Sequence, residues 1–223
     1  MKKIILLSIA IIVVGCGSVF GYFYWQNLKE DEFLSSDPRT KVAYEVVQKR
    51  QKEVKENKDD YDAYMSLAFH WKGIGEVTRD EKYSWKAVKV YSEVIKRWGS
   101  IAYLPFVNQA NVYILLEEYD LAEENFKIAI EIEPGEQNLY IYLAELYKNY
   151  MNKDEAEVEA VYIKGIETVL AGSNLVNSYA VYLRDVGDYE KSLQYFKMLQ
   201  QAYPDNISYE GEIKEIEEKL QQS

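Results

Sequence analysis

Small and aromatic side chains come back along this chain at a period close to 34 residues, and that return constrains its fold more than any other feature. The clearest instance is the 34-residue stretch Tyr103–Glu136. In its first half Phe106, Gln109, Ala110 and Tyr113 recur at helical spacing, and in its second half Ala122, Phe126 and Ala129 do the same. Pro134 cannot continue a helix and closes the second one. The alanines let two helices approach closely, while Phe106, Tyr113, Tyr119 and Phe126 fill the space around them. Helices this short are marginal alone, and one hairpin cannot cover its own apolar face. Such a chain must stack hairpin against hairpin.

The pattern recurs. Ser173–Asn206 places Val176, Tyr179, Ala180, Leu183, Gly187, Tyr189, Ser192, Phe196 and Leu199 at matching positions and ends at Pro204. Between these two copies, Gln137–Gly172 opens with Tyr140, Leu143, Ala144 and Tyr147 and closes with Tyr162, Gly165 and Ile166. It is two residues longer, because Pro134 and Pro204 stand 70 apart. Upstream, residues 61–102 open with Tyr64, Leu67, Ala68 and Trp71 and close with Ala87, Tyr91 and Val94. Their turn, read as Gly73 to Asp80, is longer than in the other copies.

Together these four copies (61–102, 103–136, 137–172 and 173–206) resemble the tetratricopeptide repeat, a helix–turn–helix unit of 34 residues. The resemblance implies an all-α, right-handed superhelical solenoid that binds other proteins or peptides along the wall made by its first helices. A helix over 39–60, carrying Val42, Val46, Val47 and Val54, is expected to cap the first repeat. A charged helix over 207–223, with Ile213, Ile216 and Leu220 on one stripe, is expected to cap the last. Residues 29–38 read as an acidic linker.

Ahead of the linker, two lysines precede an uncharged run of 22 residues, Ile4 to Trp25. At about 1.5 Å per residue this run is long enough to cross a hydrocarbon core. Residues 1–28 are therefore read as a single transmembrane anchor, with Tyr22, Phe23, Tyr24 and Trp25 as an interfacial belt. Two alternatives compete. Val13-Val14-Gly15-Cys16 resembles a bacterial lipoprotein signal, which would place a lipid on Cys16, and a cleaved secretory signal is the other. Lys2 and Lys3 hold the N-terminus inside, so the repeats are expected outside the cytoplasm, where an envelope or secretion assembly is the natural setting.

Charge narrows the partner. Beyond residue 28, 24 basic residues face 37 acidic ones, a net of −13, which argues against nucleic acid. With one cysteine and one histidine, neither a disulfide framework nor a metal site with recognisable spacing can be drawn. No cofactor is expected. His70 reads as a surface or packed side chain, Gly73-Ile74-Gly75 lacks the context of a phosphate loop, and no catalytic constellation is visible.

What the sequence offers instead is a surface. Carried over by position, the family's groove residues are Leu104, Val107, Asn108, Asn111, Ile114 and Leu115 in the second repeat. In the third they are Asn138, Ile141, Tyr142, Glu145, Lys148 and Asn149. In the fourth they are Asn174, Asn177, Ser178, Val181, Arg184 and Asp185, and in the first Met65, Ser66, Phe69 and Lys72. Asparagine both donates and accepts, so Asn108, Asn111, Asn138 and Asn177 can pair with an extended peptide backbone whatever its sequence. Tyr142 adds an aromatic face, and Lys72, Lys148 and Arg184 are expected to receive a carboxylate. The family's clamp for chaperone tails is not reproduced: Met65, Phe69, Asn138 and Tyr142 stand at its positions, and only Asn108 agrees. The alternative is a structural subunit whose repeats associate into a homo-oligomer without a separate ligand.

Overall fold

The computed structural model describes residues 28–169 and 172–222, and every regular element among them is a helix. They are α1 (28–36), α2 (Lys41–Glu56), α3 (Tyr61–Thr78), α4 (Glu81–Trp98), α5 (Leu104–Leu115), α6 (Tyr119–Ile132), α7 (Gln137–Asn149), α8 (Glu155–Thr168), α9 (Ser173–Val186), α10 (Tyr189–Ala202) and α11 (Ser208–Gln222). The chain divides into two compact units, one up to Val90 and one from Tyr91 onward. The apolar run 4–25 and Cys16 lie outside the described residues. No described helix is long and apolar enough to cross a membrane.

In the first unit, α1 occupies what reads from sequence as a linker. It is helical and anchored: Leu34 is fully buried, its carbonyl accepts from the Thr40 hydroxyl at 3.0 Å, and Glu30 pairs with Lys86 of α4 at 2.6 Å. The Tyr44 hydroxyl donates to Asp31. The polarity of the segment is therefore one-sided, and the buried leucine turns a tether into a packed element. Beneath it the Trp71 and Tyr83 rings stack at 5.8 Å, and the Lys86 ammonium sits 4.4 Å from the Trp71 ring centre.

The expected long turn from Gly73 to Asp80 is also different. The helix continues through both glycines to Thr78 and stops at Arg79, whose φ of 56° ends it in the left-handed region. Gly75 is buried, and a Cβ there would stand 2.4 Å from Ser84 Oγ and 3.0 Å from Ser84 N. This glycine permits a close helix approach and does not break the helix.

In the second unit α5–α6, α7–α8 and α9–α10 form successive hairpins, and α11 packs on α10. Local chemistry sets the ends. Asp188 caps α10 by accepting from the Lys191 amide, Asp154 and Glu157 form a reciprocal capping box on α8, and Gly187 at φ 88° ends α9. Pro134 and Pro204 lie just past α6 and α10. The turn between α7 and α8, residues 150–154, is longer than the 116–118 turn between α5 and α6 and holds the two extra residues.

One cluster joins the hairpins, running from Phe106 and Ala110 through Ala122, Phe126 and Ala129 to Tyr140, Ala144, Val158, Tyr162, Leu175 and Tyr179. A second, Ala180, Phe196, Leu199, Ile213 and Ile216, lies under α11. Buried polar groups are satisfied in series: Gln109 donates to Ser92 Oγ at 2.8 Å, and Asn125 donates to Gln109 Oε1 at 3.2 Å.

Tyrosines bind each hairpin to the one before it. The Tyr147 hydroxyl on α7 donates to Glu123 on α6 at 2.6 Å, and Tyr179 on α9 donates to Glu159 on α8 at 2.5 Å. Burial raises the Glu123 pKa, but hydrogen bonds from Lys127 and Tyr147 outweigh it and hold the group below its usual 4.5. A carboxylate depressed in this way contributes stability at neutral pH that is lost as pH falls below 4.5 through the folded-state value. Replacing Tyr147 with Phe is expected to cost about 1 kcal/mol at pH 7. In urea titrations at stepped pH, the gap from wild type should narrow once Glu123 takes up its proton. A gap that grows on acidification would contradict this account.

Candidate functional site

The first helices of the second unit's hairpins, α5, α7 and α9, carry the residues that the repeat pattern assigns to a groove. The structure divides those positions into three kinds. Val107 and Ile141 are buried and belong to the core, so they are unavailable to a ligand. Ile114 is partly buried against the same core. Leu104 and Leu115 on α5 and Tyr142 on α7 are exposed at 48, 43 and 38%. The Tyr142 ring lies 5.9 Å from that of Phe126 and is tilted against it.

The asparagines also separate. Asn138 is already engaged, its amide donating to Glu136 Oε1 at 2.8 Å next to the N-terminus of α7. Asn108, Asn111 and Asn177 are partly exposed, and none makes a side-chain hydrogen bond to a described residue. They keep a full set of donors and acceptors for something else.

The cations are not open as the sequence suggested. Lys148 on α7 pairs with Asp185 on α9 at 3.1 Å, and Arg184 contacts Asp185 at 3.1 Å and also pairs with Glu212 of α11. Burial alone would raise the Asp185 pKa, but Lys148 and Arg184 bond to it and hold it below the carboxylate range. Lys72, in the first unit, pairs with Glu76 at 3.0 Å. The Lys148–Asp185 and Arg184–Glu212 pairs join one helix to another, Lys72–Glu76 lies within α3, and all three cations are neutralised within the protein. Glu145, exposed beside Tyr142 on α7, makes no ion pair with a described residue. Counting the linked group and Glu145 together, the face carries a small excess of negative charge.

His70 is a packed side chain: its Nδ1–H donates to the Ser66 carbonyl at 2.7 Å, and its ring meets Phe69 edge-on. Among the described residues no group of three His, Cys, Asp or Glu side chains is placed to hold a metal ion. What this face can do chemically is bind, through amide groups and apolar rings.

No protein-family model matches the sequence. No curated protein matches it either. Solved structures do resemble it. Crystalline MamA superposes with a TM-score of 0.55 at 14% identity, covering 73% of this chain and 90% of that one. The MamA RS-1 ArsTM double mutant gives 0.55 at 12%, with 86 and 96% covered. TTC0263, a thermophilic TPR protein in Thermus thermophilus, gives 0.52 at 14%, with 76 and 88% covered.

The fold is that of a tetratricopeptide repeat protein. At these identities the likeness speaks for the fold alone. Within a tetratricopeptide fold, α5, α7 and α9 are the first helices of their repeats and α6, α8 and α10 the second. Asn108, Asn111 and Asn177 therefore fall on the helices that line a tetratricopeptide groove. The features that sequence positions alone did not reveal are the engagement of Asn138 and the internal pairing of Lys148 and Arg184. The glutamate two residues before Asn138 and the aspartate one residue after Arg184 were the only local signals of either.

Proposed function

We propose that this protein is a membrane-tethered scaffold that holds an extended segment of a partner protein along α5, α7 and α9. The reading rests on one observation above the others: Asn108, Asn111 and Asn177 are partly exposed on first helices, and their side chains make no hydrogen bond to any described residue. Amide side chains can bond a peptide main chain without regard to its sequence, and Leu104, Leu115 and Tyr142 offer apolar contact beside them. Because Lys148 and Arg184 are neutralised internally while Glu145 is not, the segment held there is neutral or basic and not an acidic tail.

The apolar run 4–25 supports attachment to a membrane, as a transmembrane anchor or through a lipid on Cys16. The two lysines before it support placement of the repeats on the extracytoplasmic side, in an envelope or secretion assembly.

The test is recovery of the partner from membranes with the full chain. Changing Asn108, Asn111 and Asn177 together to Ala should abolish recovery of a partner bound by wild type, with the circular dichroism spectrum unchanged. Undiminished recovery would refute the face. Light scattering over a wide concentration range examines self-association, and an oligomer that persists in the triple variant with no partner recovered would favour the structural alternative.

A further inference from the structure

A second surface lies on the other side of α7. The groove positions Tyr142 and Glu145 occupy one side of that helix, whereas Tyr140, Leu143 and Tyr147 line the floor of a cleft of about 440 Å³ walled by α6 and α8. Ile130 of α6 and Val161 of α8 add apolar walls, and Ala160, exposed and carrying only a methyl group, leaves the cleft open.

The chemistry of this cleft differs from that of the asparagine face. No amide or aliphatic hydroxyl side chain lines it. Its two phenols are already committed, Tyr140 to the Pro134 carbonyl at 3.0 Å and Tyr147 to Glu123 at 2.6 Å. An extended peptide laid here would bury backbone amides with nothing to bond them, at a cost of about 1–3 kcal/mol each. A helix satisfies its own backbone and presents only side chains.

The rim specifies the charges. Lys127 is paired with Glu123 and Glu157 with Lys153, but Glu131 on α6 and Lys164 on α8 form no ion pair with a described residue. Two uncommitted charges of opposite sign, one on each wall of an apolar cleft, suit a helix with a base on one flank of its apolar stripe and an acid on the other.

We propose that the α6–α8 cleft docks an amphipathic helix of a partner protein, its apolar side chains set against Ile130, Leu143 and Val161 and its flanking charges against Glu131 and Lys164. This places a helix-binding surface on the second helices, apart from the asparagine face, so that two partners can be held at once.

The probe is a fluorescein-labelled, alanine-based helical peptide with leucines at i, i+4 and i+7, an arginine on one flank and a glutamate on the other. Anisotropy with the full chain should show saturable binding. Ala160→Glu, which puts a carboxylate into the apolar cleft from an exposed helix position, should weaken it at least about tenfold. The double charge reversal Glu131→Lys with Lys164→Glu should weaken it as well, and a peptide with arginine and glutamate exchanged should restore it. The triple asparagine variant should bind the probe as wild type does. Absence of saturable binding up to millimolar peptide, indifference to Ala160→Glu, or loss in the triple asparagine variant would each overturn the proposal. So would a concentration-dependent dimer that Ala160→Glu abolishes, since the occupant would then be a second copy of this chain.

Discussion

Replacing Phe126 with Ala is expected to lower the stability of the second unit by about 3–5 kcal/mol, the range for removing a buried ring from a core that relaxes only in part. Phe126 is 1% exposed, and it lies in the cluster with Ala110, Ala122 and Ala129, whose small side chains leave the space that its ring fills. Those alanines cannot grow to close the cavity, so little is recovered by collapse. The midpoint of urea denaturation, followed by helical circular dichroism, should fall accordingly. The control is Phe69→Ala, because Phe69 is 59% exposed and its loss should cost about 0.5 kcal/mol or less. If the two substitutions cost the same, the packing of α6 described here is mistaken.

Gly165→Ala should also destabilise, against the trend of helix propensity. In a solvated helix the change gains about 1 kcal/mol. Here the new Cβ would stand 2.7 Å from the Tyr140 ring, at Cγ, and 2.8 Å from Leu175 Cδ2. Neither neighbour has room to move, since Tyr140 is 1% exposed and Leu175 fully buried. Overpacking of this kind costs about 1–3 kcal/mol, and α8 must shift away from α7 and α9 to accept it. The expected result is a lower denaturation midpoint together with weakened probe binding in the α6–α8 cleft, whose floor includes Tyr140. A more stable Gly165→Ala variant would show that α8 does not approach α7 this closely.

Much of the fold could be read from residues, because the information was local. The recurrence of Ala110, Ala122 and Ala129 with Phe106 and Phe126 marks which faces must be covered, and Pro134 marks where a helix must stop. Both act within a few residues of themselves. Gly73 and Gly75 misled for the same reason. Judged locally they read as a loop, whereas α3 runs through them because Gly75 meets Ser84 of α4 across the hairpin. A glycine required by a neighbouring helix and one required by a turn have the same sequence signature.

The candidate face was legible in part. That Asn108, Asn111 and Asn177 fall on first helices follows from position in the repeat. That Lys148 is neutralised could not be read, because Lys148 and Asp185 are 37 residues apart and meet only through the packing of α7 on α9.

By itself, the amino-acid order determined that this chain makes helical hairpins, where Pro134 and Pro204 close them, and which side chains they hide, since these follow from periodicity and backbone chemistry along one stretch of chain. Only the tertiary structure decided which polar groups remain uncommitted: Lys148 of α7 is paired with Asp185 of α9, whereas Glu131 and Lys164 stand without an ion pair to any described residue at the rim of a cleft. Commitment is a property of the space between helices, and that space is set by how their ridges seat against one another, which the order of residues does not display.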